Sequence, residues 1–163
     1  MPNDLTPKLK NDDEGEGGEP MSQQHMETVK RLFDAVRRRD QAGVLEVYHP
    51  EIVIHEAPSL PYGGDYRGHA GAMHHLNGYY RTWDAFRPTT RQEHHPVFLE
   101  TTEDSVVVLW REEAVAPGSG RRIDLPALGV YKVRDGKVVE SRMFQDTATI
   151  LDFLKDAEKQ TEG

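Results

Sequence analysis

Apolar residues recur first at helical spacing and later at strand spacing, and the change of period outlines the fold. From Ser22 onward, Met26, Val29, Leu32, Phe33 and Val36 fall on one side of a helix, with Lys30, Arg31, Arg37 and Arg38 largely outside the stripe. Residues 41–48 form a second, shorter helix with Val44, Leu45 and Tyr48 on one side. Pro50 ends it, because proline lacks the backbone donor and restricts the residue before it. Residues 51–57 alternate around Ile52, Val53 and Ile54 and are predicted as a strand. The following segment, Pro58 to Gly68, carries two prolines and three glycines and suits a defined bend over a pocket. A helix is predicted over 69–83, strands over 90–100, 105–116, 122–133 and 137–145, and a final helix over 147–155. Asp135-Gly136 supplies the positive φ angles of a tight hairpin between the last two strands.

That order is an α+β plan: helices packed on a curved antiparallel sheet that forms a cone with an open end. The inner face of such a cone, apolar with a few convergent polar groups, has the composition of a small-molecule pocket. The uninterrupted apolar run Val106-Val107-Val108-Leu109 asks for burial of both sheet faces, which predicts a homodimer through the outer one.

Composition sharpens the picture. A length of 163 residues supports one core. Residues 1–21 read as an acidic tail, 22–158 as the single domain and 159–163 as a C-terminal tail. The chain has no cysteine, which excludes disulfides and thiolate chemistry and fits a cytoplasmic setting. No apolar run approaches a membrane span or a signal segment. A net charge of −8 argues against nucleic acid as a partner. The basic cluster Arg37-Arg38-Arg39 at a predicted helix end instead complements the helix dipole.

Candidate chemistry centres on Asp146, at the far end of the last strand. Arg111 and Glu113 on a neighbouring strand are its orienting or oxyanion-stabilising partners in acid–base work on a small ligand. A second role competes for Asp146, capping the helix that starts at Thr147. His55 and Glu56 are adjacent on one strand, so only one of them faces the cone. The one that does is the second acid–base candidate. Tyr62, Tyr79, Tyr80, Trp83, Trp110 and Phe144 are expected to line or roof the pocket. The histidines show no His-x-x-x-His pair, and no metal is expected.

The segment from Thr28 to Pro58, the loop Tyr62-Gly63-Gly64-Asp65-Tyr66-Arg67-Gly68 and the hairpin around Gly136 resemble the nuclear transport factor 2-like superfamily. Within it they are most similar to the SnoaL-like branch, which includes polyketide cyclases. The resemblance implies three comparisons. Ketosteroid isomerases would need acidic or phenolic groups where this chain has Ala57, Leu32 or Phe33, and Leu128, so steroid isomerisation is not expected. SnoaL-like cyclases place an aspartate six residues after a glutamate in the last strand, a spacing matched by Glu140 and Asp146. This implies proton removal beside a carbonyl and aldol closure, with Met143, Phe144 and Ile150 desolvating the acid. Limonene-type epoxide hydrolases use an Arg-x-Asp pair, which Arg111-Glu112-Glu113 resembles. Their water-holding positions are Ile54 and Glu56 here, where His55 and Glu56 would have to substitute. The implied activity is cofactor-independent acid–base catalysis on a carbonyl-bearing small molecule. Epoxide opening and simple ligand binding are the alternatives.

Overall fold

The helical period of the N-terminal segment is realised as α1 (Met21–Arg38) in a computed structural model, which describes residues 20–86, 96–101 and 103–161. Its stripe buries Val29, Leu32 and Ala35, while Phe33 meets the rings of Phe98, Trp110 and Tyr131 edge-on at 5.5–5.6 Å. The helix stops where Arg39 turns left-handed at φ 57°, and Asp40 then caps α2 (Gln41–Val47) by accepting the Gly43 N–H at 2.9 Å. Arg39 does more than face a helix dipole. Its guanidinium pairs with Asp84 and lies 4.2 Å from the centre of the Tyr80 ring, tying α1 to the end of α3 (Gly68–Trp83).

Six strands follow from the alternating segments: β1 (Tyr48–Glu56), β2 (Gly64–Arg67), β3 (Val97–Glu100), β4 (Ser105–Val115), β5 (Arg122–Arg134) and β6 (Lys137–Gln145). They form one curved, unclosed sheet in the order β2-β1-β6-β5-β4-β3, and α4 (Thr147–Thr161) completes the α+β fold. Three details depart from the sequence expectation. The sheet is not wholly antiparallel, because β1 and β6 run parallel. The loop after β1 contains a strand, β2, whose Asp65 stands opposite His55. Pro50 does not end a helix but lies inside β1, where the pairing with β6 shifts register between Tyr48 and Val53. An irregular stretch of ladder tolerates a residue with no N–H. Of the strand expected over 90–100, residues 90–95 lie outside the described residues, as does the tail up to residue 19. The β5–β6 hairpin turns as expected, with Asp135 and Gly136 at φ 51° and 71°.

Alternation decides which side chains enter the cone. Ile52, Ile54 and Glu56 of β1 are buried, as are Val106, Val108, Glu112 and Ala114 of β4 and Ala127, Tyr131 and Val133 of β5. Together with the helices they make two apolar clusters. One joins α1 and α2 to the sheet; the other gathers Leu60, Tyr62, Trp83, Ala114, Ala116, Ile123, Ile150 and Phe153 beneath α4.

Candidate functional site

Inside this apolar shell stands a group of polar side chains. Glu56 ends the inward-facing series of β1, and only 3 % of its side chain is exposed. Its Oε2 lies 3.1 Å from Nε2 of His75, which is itself 10 % exposed, and its Oε1 accepts the Gln145 amide at 3.0 Å. A buried carboxylate costs a great deal unless its lone pairs are met, and here both oxygens are engaged. Helix α3 brings His75 into place because Ala72, His75, Leu76, Tyr80 and Trp83 share its buried face. The rings of Tyr62 and Tyr66 flank the imidazole, 6.1 and 5.1 Å from its centre.

Glu112 is the second buried carboxylate. Its Oε1 accepts from the Tyr79 hydroxyl and from the Trp110 indole, each at 2.9 Å. The Tyr62 ring meets both His75 and Tyr79 edge-on, so the bonds made by Glu56 and by Glu112 border one interior region. Burial pushes both phenols well above their ordinary range. For Tyr62, the Trp83 N–H, 3.0 Å from its hydroxyl oxygen, opposes part of that rise.

The structure divides the residues expected from sequence. Glu56, Tyr62 and Trp83 meet in the interior, with Trp110 bound to Glu112 beside them. Tyr80 is buried too, but its hydroxyl is bonded to the Val36 carbonyl at 2.8 Å, in the packing of α3 on α1. His55 is the member of its pair that faces away. It stands between Asp65, at 2.7 Å, and Glu140, at 3.4 Å, on the outer side of the sheet. Arg111 is also on the outer side, bonded through Nε to Asp124 at 2.5 Å, and Glu113 shares its parity on β4. Phe144 is exposed on the same outer face.

Asp146 does not join the interior group. Its carboxylate is exposed and accepts the Thr149 backbone N–H at 3.1 Å and the Thr149 hydroxyl at 2.7 Å, capping α4. The Thr149 hydroxyl, followed by its backbone N–H, holds the Asp146 carboxyl below its ordinary pKa. A folded value below the unfolded one stabilises the protein above about pH 4, and that contribution disappears as pH falls through the folded value. Asp146→Ala is therefore expected to lower the melting temperature at pH 7 and to reduce its fall on acidification. Identical melting profiles for variant and parent between neutral and acidic pH would show that the cap contributes nothing.

Tyr79 was expected among the aromatic lining, whereas Glu112, His75 and Gln145 were not among the expected residues. Each was visible in parity or period. Glu112 shares the strand face of Val106 and Val108, Gln145 that of Met143, and His75 and Tyr79 lie on the helical stripe that runs from Ala72 to Trp83. Among the described residues, no cluster of histidine and carboxylate side chains could hold a metal ion.

Comparison with known proteins gives a consistent result. Residues 29–141 match the model of the SnoaL-like domain. No curated protein matches the chain. Among solved structures, TerC co-crystallised with polyporic acid is similar at 24 % identity and TM-score 0.68, covering 81 % of this chain and 98 % of that one. An NTF2-like protein of unknown function from Burkholderia pseudomallei K96243 is 25 % identical at TM-score 0.67, covering 80 % and 97 %. A candidate SnoaL-like polyketide cyclase from Jannaschia sp. CCS1 is 23 % identical at TM-score 0.63, covering 84 % and 95 %.

Proposed function

Because the chain belongs to the SnoaL-like domain family, with its nuclear transport factor 2-like fold, we propose that it performs cofactor-independent acid–base chemistry on a small carbonyl compound, with Glu56 as the base. The observation that carries this reading is the buried Glu56–His75 pair, 3.1 Å apart and shielded from solvent by aromatic rings. Bonds from His75 and Gln145 fix the carboxylate plane, so its basic lone pair is aimed before a ligand arrives. Glu112, which accepts from the Tyr79 hydroxyl and the Trp110 indole, is the second acid–base group. Removal of a proton next to a carbonyl is the shared first step of aldol-type cyclisation and of isomerisation. The aromatic walls suit an apolar, ring-bearing ligand, and the structurally similar TerC was co-crystallised with polyporic acid. Deuterium uptake at C1 of 2-tetralone tests this reading: a rate above that of buffer is expected, and a rate equal to buffer overturns it. The epoxide-opening alternative draws no support from Arg111, which faces outward onto Asp124.

A second observation concerns assembly. Val97, Leu109, Leu128 and Phe144 form one cross-strand row on the outer face of four strands. Val97, Leu109 and Phe144 from this row, with nearby Leu99, are 38–53 % exposed. This row supports a homodimer through the sheet. Light scattering at micromolar concentration is expected to give twice the chain mass, and Phe144→Glu the single mass. A monomeric parent protein would overturn the proposal.

A further inference from the structure

Tyr62 stands on a segment with little freedom. Leu60 N–H bonds to Ala57 O at 3.1 Å and Gly63 N–H to Leu60 O at 2.8 Å, while the Tyr66 hydroxyl donates to the carbonyls of Tyr62 and Gly63 at 2.9 and 3.1 Å. A side chain at Gly63 would place its Cβ 2.1 Å from the Ala57 carbonyl oxygen, so the backbone beside Tyr62 is fixed by close approach. The ring is wedged edge-on against Tyr79 at 5.5 Å and His75 at 6.1 Å, the residues bonded to Glu112 and Glu56 respectively.

The hydrogen-bond inventory at this hydroxyl has a direction. A phenol offers one O–H donor and accepts through its oxygen. The Trp83 indole N–H donates to that oxygen at 3.0 Å. That bond uses the oxygen as acceptor, and among the described residues the hydroxyl's own proton is left to be given away. Gln145 adds an acceptor beside the base. Its Nε2 donates to Glu56 at 3.0 Å, and its Oε1 is buried with no partner among the described residues. The interior therefore presents a base, a phenolic donor and an amide acceptor along one edge.

We infer that Tyr62 is a catalytic residue that donates its hydroxyl proton in a hydrogen bond to the ligand's carbonyl oxygen while Glu56 removes the neighbouring carbon-bound proton, and that Trp83 is the residue that positions it. This rests on the acid–base reading above. In the step, the C–H bond breaks and its proton passes to Glu56. Its electron pair forms the new C=C bond, and the carbonyl π pair moves onto oxygen. Negative charge thus leaves Glu56 and arrives on an oxygen facing Tyr62. A phenol whose pKa burial has raised keeps its proton at neutral pH, so it stabilises that oxygen by donation. The unpartnered Gln145 Oε1 adds a preference for ligands that carry a hydroxyl donor near the reacting carbon.

The test uses 2-naphthol, the aromatic counterpart of the enol of 2-tetralone, with binding and ionisation followed by its fluorescence. Tyr62→Phe is expected to weaken naphthol binding by about 10- to 100-fold, the range for a hydrogen bond to a charged group. Trp83→Phe keeps a ring but removes the N–H. It is expected to move the ionisation of bound naphthol to higher pH, a shift that a purely structural role would not produce. Glu56→Gln should leave naphthol binding intact or tighter while abolishing exchange of 2-tetralone. Unchanged naphthol affinity in Tyr62→Phe, with exchange lost in Glu56→Gln, overturns the role of Tyr62 and leaves the base in place. Failure of the parent protein to bind naphthol also overturns it. If Tyr62→Phe does not fold, the Trp83→Phe ionisation profile decides the matter, and an unshifted profile refutes the inference.

Discussion

Glu56→Gln is expected to slow deuterium uptake at C1 of 2-tetralone by about two to four orders of magnitude, the usual contribution of a positioned general base. The substitution keeps side-chain shape and removes the lone pair that takes the proton. The neutral amide can still accept from Gln145 or meet His75, so the interior has no reason to rearrange. The melting temperature should stay within a few degrees of the parent's. Asp146→Asn provides the contrast, because its carboxylate is outside the interior and bonded to Thr149. That variant should exchange at the parent rate. If Asp146→Asn lost exchange and Glu56→Gln kept it, the assignment of the base would be reversed.

Phe153→Ala is expected to cost about 3–5 kcal/mol of stability, the range for truncating a fully buried aromatic ring. Phe153 is completely buried, its ring edge-on to Phe86 at 5.4 Å, among the apolar residues that join α4 to the sheet. The remaining ties of α4 are weaker. Arg121 bonds to Asp152 at 2.7 Å and to Asp156, and these pairs are largely exposed to water, where such contacts contribute little. Equilibrium unfolding in urea should show a lower midpoint with an unchanged slope, and the melting temperature should drop by roughly 10 °C. A loss below about 1 kcal/mol would mean that α4 does not rest on this ring.

The fold was legible in the sequence because its signals are local. The stripe from Val29 to Val36 gave α1, and Asp135-Gly136 gave the hairpin. What escaped was long-range or depended on phase. No local pattern announces that β1 will pair in parallel with β6, or that Gly64–Arg67 will be drawn into the sheet by β1. The candidate site was half legible for a related reason. Alternation narrowed β1 to His55 or Glu56 without choosing between them, and aromatic content pointed to Tyr62, Trp83 and Trp110. Family analogy, however, put the odd positions Arg111 and Glu113 of β4 inward, whereas buried Val106 and Val108 set the opposite phase and turned Glu112 in. One residue of phase separates an outer-face ion pair from an interior acid. Asp146 followed the same logic: the residue before it on β6 is the one that reaches Glu56.

The parallel pairing of β1 with β6 also bears on when the interior can form during synthesis. Glu56 and Gln145 are 89 positions apart in the chain, and their strands meet only after everything between them has been made. Closing so long a loop carries an entropic cost that local contacts must offset beforehand, and contacts this distant in sequence slow folding. A growing chain can assemble α1, α2, α3 and the β4–β5 hairpin early. Until β6 has been made, Glu56 has no parallel neighbour and the bond from Gln145 does not exist. The surroundings of Glu56 are thus completed late in folding, and a chain cut short before β6 leaves this side chain among apolar walls without the bond from Gln145.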